Sequence, residues 1–126
     1  MPTIAAIANN YAAMLAAGEA LSAARKYWAE DIVCLAPDEQ SSGQAVLATG
    51  KAAALARLES WLQSNATAEV LIDGPFITGD QFALFIDMEI TRRATGAREP
   101  FSEIATYTVR GGQIVEEKIF LWLMRH

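Results

Sequence analysis

Asp87 is the residue that most needs a chemical explanation. It stands in Gln81-Phe-Ala-Leu-Phe-Ile-Asp-Met-Glu-Ile-Thr91, a run otherwise rich in β-branched and aromatic side chains. A carboxylate buried there without a partner costs several kcal/mol, so it must find donors, take up a proton or face a wet cavity. One reading makes Asp87 a pocket base with a raised pKa; the other makes it a carboxylate satisfied by a helix arginine such as Arg57. Glu117, in Glu116-Glu-Lys118, is the second candidate: two acids converging in one cavity divide into acid and base, because like charges push one pKa up. The competing reading is a partly solvated charge run with one glutamate inside. Tyr11 has a phenol that can donate into the same space, or it sits in the core with its hydroxyl at the edge. Trp28 and Trp61 are candidates to line a pocket, though both fall at helical core spacing. Cys34 reads as buried and inert, Asp31 as ordering the start of a strand, and Arg92, Arg93 and Arg98 as a charged tip.

These side chains need a sheet to hold them. Three extended runs follow one another, Gln81–Thr91, Pro100–Val109 and Gln113–Leu123, and each gap carries glycine. That pattern predicts an antiparallel meander. With Gly111-Gly112 and Thr95-Gly96 as two-residue turns, Phe85 falls beside Thr106, which in turn faces Glu117. One face then collects Ala83, Phe85, Asp87, Glu89, Ser102, Ile104, Thr106, Glu117 and Ile119. The other collects Leu84, Ile86, Met88, Ile90, Phe101, Glu103, Tyr107, Glu116, Lys118 and Phe120. A slip of one residue at either turn exchanges the faces of a strand. In this register the first face is the pocket wall, with Phe85, Glu89, Thr106 and Ile119 as ligand contacts. Glu89 and Glu103 lie near strand ends, where rim charges are commoner. The second face is apolar enough to need a covering, and a second subunit is the expected one.

Upstream, Thr3–Ala17 has helical spacing of Ile4, Ile7, Tyr11, Met14 and Leu15, with Thr3 as N-cap and Gly18 as terminator. Glu19–Trp28 restarts as a second short helix. Asp31–Ala36 reads as a strand, Glu39–Gly43 as a flexible polar stretch and Ala45–Leu47 as a short strand. Gly50–Ser64 is a third helix, and Thr67–Ile72 begins the main sheet, which Asp73-Gly-Pro75 breaks or bends before the turn at Thr78-Gly-Asp80. Helices first and an antiparallel sheet last argue an α+β architecture, with the helices on one face of a curved sheet.

Composition narrows the function classes. The chain has 126 residues, 52% of them apolar, enough for one domain with a core and too few for two, so residues 1–126 are expected to form a single domain. A net charge of −5 with no basic block argues against a nucleic-acid partner. The single cysteine and the single, terminal His126 leave no disulfide framework, no His-based zinc site and no Ser/His/Asp triad. With neither a signal peptide nor a membrane-spanning run in the sequence, a cytoplasmic protein is expected.

The frame Tyr11-Ala-Ala-Met-Leu-Ala-Ala-Gly-Glu19 followed by Tyr27-Trp-Ala-Glu-Asp-Ile-Val33 resembles the opening of nuclear transport factor 2-like proteins, which include SnoaL-like polyketide cyclases and ketosteroid isomerase. The helix opened by Gly50-Lys51 and the ending Tyr107–Glu117 fit the same pattern. The resemblance implies a cone-shaped, cystatin-like α+β barrel and a homodimer formed through the outer sheet face. It sets Tyr11 where ketosteroid isomerase has its oxyanion-hole tyrosine. The general-base aspartate of that enzyme falls on Ala36 and its second oxyanion donor near Thr106, which argues against steroid isomerase activity itself. The expected activity is cofactor-free proton abstraction, isomerisation or cyclisation of a small apolar carbonyl compound, with Asp87 as base and Glu117 and Tyr11 as acid or donors. The alternatives are a non-catalytic module that binds a small ligand and a dimeric interaction domain whose cavity is filled by its own side chains.

Overall fold

A computed structural model describes residues 2–37 and 45–122. The expected flexible stretch Glu39–Gly43 and the terminal His126 lie outside the described residues. Helix α1 spans Ile4–Ala16, α2 Ala20–Tyr27 and α3 Lys51–Ser64. The strands are β1 (Trp28–Pro37), β2 (Ala45–Thr49), β3 (Asn65–Thr78), β4 (Gln81–Arg92), β5 (Arg98–Arg110) and β6 (Gln113–Trp122). Thr3 caps α1 by accepting the Ala6 amide on its hydroxyl at 3.1 Å. Gly18 ends it in the left-handed region at φ 79°, where a Cβ would be strained. Its amide and that of Glu19 bond back to Leu15 and Met14, so α2 starts at once in a new direction.

The strands form one sheet in the order β2-β1-β6-β5-β4-β3. Every neighbouring pair is antiparallel except β1 with β6, which are parallel. The sheet is mixed and does not close, since β2 and β3 remain edges. The architecture is therefore the expected α+β one, with the anticipated barrel left open. β3 runs through Gly74-Pro75 with a cis peptide and a register shift, bending where a break was conceivable.

Helices α1 and α3 pack against the sheet, α1 on β3 and β4 and α3 on β1, β2 and β3. The core between them includes Ile7, Tyr11, Trp28, Ile32, Phe82, Leu84, Tyr107 and Ile114. Leu84 and Ile32 are wholly buried, and burying side chains of that size stabilises by about 1.5–3 kcal/mol each. Among the described residues no helix is long and apolar enough to cross a membrane.

Two features of the meander depart from the sequence-based register. The β4–β5 connection is longer than a two-residue turn: Arg92 donates its amide to Ala97 and receives that of Gly96. Phe85 thereby pairs with Ile104 and Asp87 with Ser102, a shift of two residues that keeps each side chain on its face. The Gly111-Gly112 turn is as expected, with both glycines at positive φ and Arg110 opposite Gln113. Beyond it a bulge between Thr108 and Val109 moves the partners of β6 by one, so Tyr107 meets Glu117 and Thr106 meets Lys118. A shift of one residue exchanges faces. Glu117 and Ile119 therefore join Glu103, Tyr107, Ile86 and Met88, while Asp87, Phe85, Glu89 and Thr106 lie on the opposite, outer face.

Candidate functional site

Between α3, the α1–α2 corner and the inner sheet face lies a cavity of about 610 Å³. Its walls are mostly apolar: Trp61 and Leu58 from α3, Val70 from β3, Ile86 and Met88 from β4, Phe101 from β5 and Ile119 from β6. Trp61 and Phe101 meet at 5.5 Å between ring centroids, tilted by 53°. Into this lining β5 and β6 set two carboxyls, Glu103 and Glu117. α3 contributes Arg57, whose Nη1 donates to the Val46 carbonyl at 2.8 Å.

Both glutamates are half-buried, their open surface facing the cavity. Removal from water holds the Glu117 carboxyl up at about 7, against the opposing pull of the Arg57 guanidinium and hydrogen bonds from Cys34 and Tyr107. Burial, with the neighbouring Glu117 charge adding to it, holds Glu103 at about 8. The Cys34 thiol is pushed up, first by burial and then by Glu117, so it is a donor and no nucleophile.

Behind the acids stands an aromatic cluster. Tyr107 stacks on its cross-strand neighbour Phe82 at 4.7 Å and meets Tyr11 edge-on at 5.0 Å. Trp28 Nε1 donates to the Tyr11 hydroxyl at 3.2 Å. Tyr11 and Tyr107 are both 2% exposed, and burial raises both phenols well above their ordinary value.

Of the residues singled out in the sequence, Glu117, Tyr11, Trp28, Trp61 and Ile119 line the cavity. Asp87, Phe85, Glu89 and Thr106 do not, and the expectation that they share a wall with Glu117 is corrected by the bulge. Asp87 is exposed and accepts the Ser102 hydroxyl at 2.5 Å. The Arg57 guanidinium lies on the other side of the sheet, in the cavity lining. Glu89 pairs with Arg98, whose Nε donates at 3.0 Å, and Phe85 is 39% exposed. Glu103, read from the sequence as a rim charge, Tyr107 and Arg57 are cavity residues that sequence reasoning did not assign to the pocket, and Cys34, buried as expected, stands beside Glu117. The signal for the first two was the unbroken aliphatic set Leu84, Ile86, Met88 and Ile90: the face bearing it is the one the helices cover. Among the described residues no group of three or more His, Cys, Asp or Glu side chains is arranged to hold a metal ion.

A family model described as a SnoaL-like domain matches residues 8–117. A protein from Mesorhizobium loti, named provisionally as a SnoaL-like polyketide cyclase, is 34% identical with a TM-score of 0.84, over 94% of this chain and 99% of its own. A Xanthomonas campestris protein described as having a cystatin-like fold superposes at 0.77 with 19% identity, covering 95% of this chain and 91% of its own. AclR of Streptomyces galilaeus, named provisionally as a hydroxylase, superposes at 0.63 with 17% identity, covering 94% and 88%. Those two likenesses speak to the fold alone. No curated protein matches the chain.

Proposed function

The chain belongs to the SnoaL-like domain family, and from that premise we propose that its cavity catalyses cofactor-free proton transfer on a small, apolar carbonyl compound, leading to isomerisation or cyclisation. The observation that carries this reading is Glu117, a carboxyl in an apolar cavity with a proton affinity near neutrality and a second, more basic carboxyl on the same wall. An ionised Glu117 is a competent general base at neutral pH, and Glu103 keeps its proton there and can donate to the carbonyl oxygen. The Glu117 carboxylate takes the proton from the carbon next to the carbonyl, and the electron pair moves onto the oxygen as the enol forms. Return of the proton at another carbon isomerises the compound; attack of the enol carbon on a second carbonyl closes a ring. Trp61, Phe101 and Met88 supply the apolar contacts that favour an unsaturated or ring-bearing ligand.

The test is deuterium incorporation, followed by NMR, into aromatic ketones and lactones chosen because they raise the melting temperature. Exchange beside the carbonyl that Glu117→Gln abolishes supports the reading. Ligands that bind without exchange reduce the site to a binding module, which needs the room but not the titrating acid.

We further propose that a second copy covers the outer face, giving the homodimer that the resemblance implies, in the cytoplasm. Phe85, Ile104 and Phe120 form a cross-strand row there, Phe76 packs edge-on to Phe85 at 6.0 Å, and Leu71 is 69% exposed. A two-fold interface matches such a patch with itself and needs about 800 Å² per partner. Sedimentation of the wild type against Phe120→Lys tests it: a dimer that becomes a monomer supports the assignment, and a wild-type monomer removes it.

A further inference from the structure

The surroundings of Glu117 are more ordered than proton abstraction alone would require. Its two lateral neighbours in the sheet are Tyr107 on β5 and Cys34 on β1, each directly in register with it. Lateral neighbours point to the same face, so the Tyr107 phenol and the Cys34 thiol, both possible donors, stand on either side of the carboxyl. Tyr107 in turn meets Tyr11 edge-on at 5.0 Å, and the Tyr11 hydroxyl accepts from Trp28 at 3.2 Å.

With Glu117 ionised and accepting from Tyr107, donor and acceptor capacities leave this chain one direction. The Trp28 indole can only donate, so the Tyr11 oxygen accepts from it. The Tyr11 proton is then available to the Tyr107 oxygen, and the Tyr107 proton to Glu117, which when ionised can only accept. Each link polarises the next in the same sense. Trp28, Tyr11, Cys34 and Tyr107 are all at most 3% exposed, so water has little access to the donor side of the carboxyl.

We propose that Trp28, Tyr11 and Tyr107 form a one-way chain of donors ending on Glu117, joined there by Cys34, and that this cradle fixes the carboxyl's position and its affinity for the proton. Tyr107 and Cys34 are positioning residues, and Tyr11 acts through Tyr107 in place of the oxyanion-donor role that the family resemblance assigns to it. The inference rests on the reading of Glu117 as the acid–base group. It also explains how two glutamates on one wall come to differ. The groups facing Glu117 are Tyr107 and Glu103 from β5, Cys34 from β1, Tyr11 from α1 and Arg57 from α3. Two of these donate to Glu117, whereas burial and the Glu117 charge are what act on Glu103, and they leave it the more basic.

The test follows both carboxyls by NMR in protein labelled with carboxyl-¹³C glutamate, the Glu117 signal being identified by its loss in Glu117→Gln. In Tyr107→Phe the Glu117 midpoint should rise by about one pH unit, a tenfold change in proton affinity. Cys34→Ala and Tyr11→Phe should raise it less. Glu103 should hold or fall, because it then faces a less charged neighbour. A purely structural role for Tyr107 would loosen the wall, admit water and lower both midpoints together, and that result overturns the proposal. So does an unmoved Glu117. Should Tyr107→Phe fail to fold, replacing tyrosine by the more acidic 3-fluorotyrosine strengthens the donors, and the Glu117 midpoint must then fall. None of these readouts needs a substrate. A failure to find deuterium exchange therefore counts against the proposed function while leaving the cradle standing or falling on its own titration.

Discussion

The two faces of the sheet carry the same kind of side chain in opposite company. Outside, Asp87 accepts from Ser102, Glu89 pairs with Arg98, and Glu116 lies 3.7 Å from Lys118. Each of those partners is reached by water, and such pairs contribute about 0–1 kcal/mol. Inside, Glu103 and Glu117 stand among aromatic and aliphatic walls, and the donors to Glu117 are a phenol and a thiol. A carboxylate in a strand acquires chemical interest from what covers the strand. The apolar run around it is common to both faces and decides nothing.

The comparison can be broken in several ways. The largest expected difference is in chemistry: Glu117→Gln should lower deuterium exchange into a bound ketone about a hundredfold or more, while Asp87→Asn leaves it unchanged. Equal losses in the two variants would erase the distinction between the faces. Next in size is packing. Leu84→Ala, at a wholly buried inner position, should cost about 2–5 kcal/mol in a denaturant titration. Leu71→Ala on the outer face should stay within about 0.5 kcal/mol in a dilute monomer. Stability against pH comes third. Both inner carboxyls have folded pKa values, about 7 and about 8, above the ordinary 4.5, so between those limits the folded state binds more protons than the unfolded one. Stability should thus fall as pH rises from about 4.5 to about 8 and level off beyond. Glu103→Gln should flatten that slope and raise the melting temperature at pH 9 by on the order of 5 °C, with little effect at pH 5. The smallest effect sharpens the outer side: Ser102→Ala removes the partner of Asp87 and should change stability by at most about 0.5 kcal/mol.

The sequence is informative about elements and poor about phase. Gly18 stops a helix by conformation alone, and Gly111-Gly112 forces a primed turn, so local chemistry suffices at both places. The class of fold follows from their order. The β4–β5 connection was harder, because Thr95-Gly96 imitates a two-residue turn while the chain closes between Arg92 and Ala97. The bulge at Thr108 and Val109 has no local signature, since nothing in Val109-Arg-Gly-Gly-Gln-Ile-Val115 demands an extra residue on one strand. It is set by how β6 must lie against β5 on one side and β1 on the other. That long-range requirement separated Asp87 from Glu117, and it hid Glu103 and Tyr107 behind a face that looked like an interface.

The same bulge has an arithmetic consequence. Ile114 is wholly buried in the core and Glu117 lines the cavity, although they are three residues apart, an odd interval that a regular strand would send to opposite sides. Val115 absorbs the mismatch, and deleting it would restore strict alternation while leaving Tyr107 opposite Glu117. With Val115 present, skipping it is what brings Glu117 opposite Tyr107 on the inner face. The bulge also adds curvature, since it tightens the twist of its strand. A strand that packs into the core at Ile114 and lines the cavity at Glu117 and Ile119 can in this way follow two different tilts along its length.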